Sequence, residues 1–89
     1  MSGVPMLVEA SGLRVLLVGG GAIAARRLRT LMEAGACVRV VAPNVVAEIR
    51  EHAAAGRVEL ADRPYVPDDI ADAQLVIAAT DDRAVNAGV

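Results

Sequence analysis

Apolar residues in this chain fall into short, nearly unbroken runs at residues 13–18, 37–42 and 74–79, each followed by glycine, proline or a polar cluster. Runs of this kind are expected of strands covered on both faces, as in a parallel sheet. Between the runs the period changes. Over residues 22–34, Ile23, Leu28, Leu31 and Met32 fall near one face of a helix, while Arg26, Arg29 and Glu33 reach water. Gly35 stands where that helix should stop. Asn44 stands where a side chain can cap a second helix running to about residue 55, with Gly56 ending it. Residues 57–61 read as a third strand, 64–73 as a loop with one helical turn, and 74–79 as a fourth strand. Residues 6–10 read as a short extended segment before a turn at Ser11-Gly12, and Thr80-Asp81-Asp82 as the start of a last helix.

Strands alternating with helices predict an α/β fold, a parallel sheet with crossover helices. With right-handed crossovers it is a Rossmann-type sheet, here incomplete at its C-terminal end. The chain reads as one partial domain over residues 1–89. A chain of this size buries roughly 60% of its unfolded surface, so a ligand or partner is expected to add appreciably to its stability.

The stretch from Arg14 to Ala24 carries the chemistry. A buried strand runs into Gly19-Gly20-Gly21 and then into the first helix. Glycines let the backbone turn sharply and approach a phosphate closely, and a helix N-terminus directs free N–H groups and a positive dipole end at the phosphate charge. Gly19-x-Gly21-x-x-Ala24 has the spacing of a dinucleotide fingerprint, in the right context. In such sheets ligands lie at the carboxyl ends of strands, where the strand order reverses. Three strand ends carry glycine or polar residues: Gly19 to Gly21, Pro43-Asn44, and Thr80-Asp81. Asn44 suits either a ribose hydroxyl or a helix cap. Thr80 or Asp81 suits either a cap at the positive end of the last helix or a contact near the nicotinamide. No acid follows the second strand, where many NAD proteins hold the ribose, and no arginine follows it to grip a 2′-phosphate, which disfavours NADP. Arg39 reads as a strand residue with a structural role, and Arg26, Arg27 and Arg29 as a solvated helix face.

Composition narrows the field. Tyr65 is the one aromatic residue, which argues against stacking on single-stranded nucleic acid, and the net charge of −2 argues against nucleic acid generally. The longest apolar stretch is too short and too glycine-rich to span a bilayer, and residues 1–5 hold no basic region of a signal peptide. A single cysteine, Cys37, excludes an internal disulfide and fits a reducing cytoplasm; at a strand start it reads as a small buried hydrophobe. His52, with no cysteine or second histidine beside it, is a poor metal ligand.

Residues 18–27 (VGGGAIAARR), 31–36 (LMEAGA), 40–43 (VVAP) and 78–86 (AATDDRAVN) resemble, in order and spacing, the N-terminal domains of siroheme synthases, the precorrin-2 dehydrogenases that in some members also act as sirohydrochlorin ferrochelatases. Arg27 and Ile23 stand where that family more usually has Lys and Val. The resemblance implies oxidation of precorrin-2 to sirohydrochlorin by NAD⁺, with Fe²⁺ inserted in bifunctional members, and a homodimeric cytoplasmic enzyme. It implies that Gly21, Ala22 and Ile23 meet the pyrophosphate, Pro43 and Asn44 the adenosine ribose, and Thr80 and Asp81 the nicotinamide side, with Gly19 and Gly20 also counted among the cofactor-binding residues. The family's catalytic aspartate and its dimerisation segments fall beyond residue 89, so no catalytic residue is assigned here and the chain alone is expected to lack both activities. Two other classes share the glycine turn: a non-catalytic NAD-binding regulatory module and an adenosyl-donor methyltransferase. The AATDDRAVN block favours the dehydrogenase over both.

Overall fold

A computed structural model of the chain describes residues 12–79. It contains strands β1 (Arg14–Val18), β2 (Cys37–Val41), β3 (Glu59–Ala61) and β4 (Leu75–Ala78), helices α1 (Ala22–Glu33) and α2 (Ala47–Ala54), and a 3-10 turn at Pro67–Ile70. The four strands form one sheet of order β3-β2-β1-β4, and every pairing is parallel. The chain winds outward from β1 through β2 to β3, then crosses back to place β4 on the other side of β1. The direction of winding therefore reverses at β1, as the Rossmann-type reading requires.

Alternation along β1 explains its unbroken apolar run. Val15 and Leu17 join Val38, Val40, Ala24, Ala25, Leu28 and Ile49 in a core beneath the two helices. Leu16 and Val18 point the other way and pack with Val41, Tyr65, Ala73 and Val76. Both faces of β1 are dry, so no position from 15 to 18 tolerates a polar side chain. Ala24 and Ala25 of α1, fully or almost fully buried, let that helix approach the sheet closely.

Several sequence expectations change here. Ile23 is 42% exposed rather than on the core face, because it sits in the first turn of α1, above the strand ends. Leu31 and Met32 are half-buried against the core, and the helix stops at Gly35, whose N–H donates to the Met32 carbonyl. Asn44 does not cap α2. That helix starts at Ala47 with Val46 as its N-cap and no capping side chain, because the Val46 N–H is bound to the Gly20 carbonyl at 2.8 Å and the chain runs along the glycine turn before it winds. Cys37 is exposed, not buried: it begins β2 on the face that carries Arg39, where the β3–β4 crossover gives thin cover. Arg39 is structural, as expected, facing Glu59 across the β2–β3 register at 3.4 Å. The extended segment expected at residues 6–10 and the helix expected from Thr80 lie outside the described residues.

Leu28 is fully buried at the centre of the α1–sheet contact. Leu28→Ala is expected to cost about 3 kcal/mol, a large part of the ~4–13 kcal/mol available to a chain of this size. Urea unfolding followed by circular dichroism would read this, and an unchanged midpoint would contradict the packing of α1 described above.

Candidate dinucleotide site

The three glycines after β1 do different work. Gly19 has φ 138, a conformation that L side chains rarely adopt, and its N–H donates to the Val41 carbonyl at 3.1 Å. Gly20 is buried against the β2–α2 connection: a Cβ there would lie 2.0 Å from the Asn44 carbonyl oxygen and 2.8 Å from Val45 Cγ1. Gly21 is the N-cap of α1, with φ −90 and ψ −161, and a Cβ there would meet nothing within 4 Å. The protein itself thus requires glycine at 19 and 20 but not at 21.

The first turn of α1 is unusually bare. Its first intrahelical bond runs from the Ala25 N–H to the Gly21 carbonyl, so the N–H groups of Ala22, Ile23 and Ala24 have no partner within the helix. No side chain caps this end and no acid occupies the first turn. α2 differs, with Glu48 in its first turn. The positive pole of α1 thus has no compensating acid in its own first turn, the condition in which a helix N-terminus can take up an anion.

A crevice of about 490 Å³ opens in front of that pole. Gly19 to Ile23 form one wall, Ala42, Pro43 and Asn44 a second, and Ala79 marks the end of β4. Of the residues singled out in the sequence, Gly19, Gly20, Gly21, Ala22, Ile23, Pro43 and Asn44 come together here, whereas Thr80 and Asp81 lie outside the described residues. Pro64 and Tyr65, just past β3, also line the crevice and were missed by the sequence reading. The signal was available, since the strand-end rule applied to the first, second and fourth strands applies equally to the third. None of the described lining residues is charged. A smaller cavity of about 280 Å³ lies elsewhere, bordered by Arg14, Cys37 and Asp72, away from the glycine turn.

The loop that presents Pro64 and Tyr65 is closed by an ion pair. Arg63 Nη1 donates to Asp69 Oδ2 at 2.9 Å, Nη2 donates to Oδ1, and the Val66 N–H donates to Oδ2 at 2.8 Å. Asp69 is the buried charged residue of the described chain, 7% exposed. The Arg63 hydrogen bonds hold its carboxyl well below the ordinary carboxylate value, at about 2; burial opposes this and the Val66 N–H adds to it. The other ion pairs are more exposed. Arg29 meets Glu48 at 2.9 Å, joining α1 to α2, and Arg50 meets Asp62 at 3.0 Å. Arg26 and Arg27 are exposed, as expected of a solvated helix face, and half-buried His52 lies 3.8 Å from Glu48.

Parallel winding that reverses at β1, directly beneath a neutral crevice, is the arrangement of a Rossmann-type dinucleotide-binding domain. The comparisons with known proteins agree. Residues 6–89 match the family described as "Putative NAD(P)-binding", and the chain belongs to that family. It is 48% identical to the siroheme synthase of Pseudomonas fluorescens (strain Pf0-1) over 89 residues, which is all of this chain and 19% of that protein. The siroheme synthase of Photorhabdus laumondii is 44% identical over 86 residues, covering 97% of this chain and 18% of the relative. Among solved structures, the precorrin-2 dehydrogenase SirC superposes with a TM-score of 0.83 at 40% identity, over 88% of this chain and 39% of that one. The chain thus spans about a fifth of the length of the siroheme synthases it matches. Among the described residues no helix is long and apolar enough to cross a membrane.

Two outcomes follow for the folded chain. Gly20→Ala is expected to destabilise it by about 3 kcal/mol, because backbone rather than a flexible side chain must move. Gly21→Ala is expected to change stability by less than about 0.5 kcal/mol, the poorer N-cap offsetting the reduced freedom of the unfolded chain. Thermal melts of the two variants side by side would reveal equal losses if the division were wrong. The second outcome concerns pH. Asp69 is ionised above about 2 when folded and above its ordinary value near 4 when unfolded, so its contribution is complete above that upper value and is lost as pH falls towards 2. Asp69→Asn should therefore flatten the acid limb of stability between about pH 4 and 2. Urea midpoints across that range test it, and an unaltered slope would count against the ion pair.

Proposed function

We propose that this chain is the NAD-binding domain of a precorrin-2 dehydrogenase of siroheme synthesis, in which precorrin-2 gives up a hydride to NAD⁺ and a proton to solvent and becomes sirohydrochlorin. The observation that carries the binding half of this reading is Gly21. Neither backbone strain nor lack of space requires a glycine there, since its φ is negative and its missing side chain faces open space; its place as N-cap of α1 favours glycine only mildly. A pyrophosphate drawn up to the first N–H groups of α1 does explain it, because a methyl group at that point would hold the phosphate off. The catalytic half follows from the likeness to siroheme synthases and to SirC.

Bound NAD⁺ supplies the hydride acceptor. The work of the chain's own residues is binding and orientation. The N–H groups of Ala22, Ile23 and Ala24 receive the pyrophosphate, and Pro43 and Asn44 border the adenosine ribose. Ala79, just past β4, with Thr80 and Asp81 following in sequence, would border the nicotinamide, whose chemistry is to accept the hydride from the tetrapyrrole. In members that complete siroheme, Fe²⁺ enters as a further substrate, and we take the complete enzyme to be a cytoplasmic homodimer.

NAD rather than NADP is the cofactor on this reading. A 2′-phosphate at the β2 end would find no charged lining residue among the described residues, and Arg63, next in sequence to Pro64, is committed to Asp69. Calorimetric titration with NAD⁺ should give saturable binding, with NADP⁺ weaker by at least roughly tenfold. At 100 times its dissociation constant NAD⁺ should stabilise the fold by about 2.7 kcal/mol, and Gly21→Ala should abolish most of that gain. Tighter binding of NADP⁺ would overturn the cofactor assignment, and equal binding by Gly21→Ala would overturn the role given to the glycine.

A further inference from the structure

Tyr65 is the one aromatic residue of the chain. It sits two residues before Pro67 and directly after Pro64, in a loop closed on itself by Arg63 and the buried carboxylate of Asp69. A buried charge is costly and persists where its partners hold one geometry. Here that geometry fixes the loop at the carboxyl end of β3. Tyr65 is half-buried: it packs against the core formed by Leu16, Val18 and Val41, and it also borders the crevice. A rigid aromatic side chain is thus backed by apolar core and set at one end of a neutral cleft.

Sheet order decides which end. β3 adjoins β2 and lies farthest from β4. The end of β2 is where a Rossmann-type sheet holds the adenosine ribose. The loop that carries Tyr65 leaves the sheet at that outer edge, beyond the ribose and on the base side.

We infer that Tyr65 forms the adenine-side wall of the crevice, with the Arg63–Asp69 pair as the device that positions it. The inference rests on the dinucleotide reading of the crevice and adds which half of the ligand the β3 loop recognises. An apolar aromatic wall recognises a purine by contact over its face, without any charged lining residue, as the crevice requires.

Because the chain has one tyrosine and no tryptophan, its intrinsic emission reports on Tyr65 alone. NAD⁺, AMP and nicotinamide mononucleotide are titrated into the 89-residue chain, with N-acetyltyrosinamide at matched absorbance as the control and calorimetry in parallel. NAD⁺ and AMP are expected to quench the emission saturably, and nicotinamide mononucleotide to leave it unchanged. Tyr65→Leu should weaken NAD⁺ and AMP roughly tenfold, while Tyr65→Phe, which keeps the ring and its packing, should bind as the parent does. Calorimetric binding of NAD⁺ with unchanged emission, or with equal affinity in Tyr65→Leu, would overturn the inference and leave the dinucleotide reading standing. Absence of NAD⁺ binding by the folded chain would overturn both.

Discussion

The close approach of Gly20 to the β2–α2 connection is the constraint on which the site depends. The Asn44 carbonyl oxygen occupies the space where a side chain at position 20 would begin, and the Val46 N–H closes the contact on the Gly20 carbonyl. Two strand ends are thereby locked together at backbone distance. The lock delays the start of α2 until residue 47, turns Pro43 and Asn44 towards the crevice, and leaves the first turn of α1 facing it. A methyl group at position 20 would push the two walls apart before any ligand arrived.

The sheet divides its labour between its faces. The helix side holds most of the core and the stability that goes with it, through Leu17, Leu28, Val40 and Ile49. The other face is covered by a crossover containing only a 3-10 turn, and it relies on the pairing of buried Asp69 with the half-exposed Arg63 to hold shape. The same crossover brings Tyr65 to the crevice. A segment too short of apolar residues to pack as a helix is instead fixed by charge, which is directional and sets the position of one side chain.

Much of this was legible in the sequence. Nearly unbroken apolar runs marked the strands, most clearly β1, which from Val15 to Val18 is buried on both faces and has no polar side to blur the pattern. The glycine turn was legible for the same reason, lying between a run of period-free apolar residues and a run of helical period. Asn44 misled because its residue type suits a cap, while the contact that displaces the helix start is tertiary, made with Gly20 across the strand ends. Cys37 misled because burial at a strand start depends on what covers the sheet there, and cover by the crossover is invisible in local pattern. The Arg63–Asp69 pair is local in sequence, but nothing in its spacing distinguishes it from exposed pairs such as Arg50 with Asp62 until the burial of Asp69 is known.

The three consecutive glycines show how one motif serves fold and function at once. At 19 the backbone conformation demands glycine, and at 20 a neighbouring carbonyl does. Both demands are met by the protein alone, and neither argues for a ligand. At 21 backbone angles and space would both accept a side chain, and on the proposed reading the demand is the pyrophosphate's. A tight turn without a ligand would need the first two glycines and could carry alanine at the third. On the proposed reading, the third glycine, coinciding with a helix end that has no side-chain cap and no acid in its first turn, is what separates a binding site from a connection.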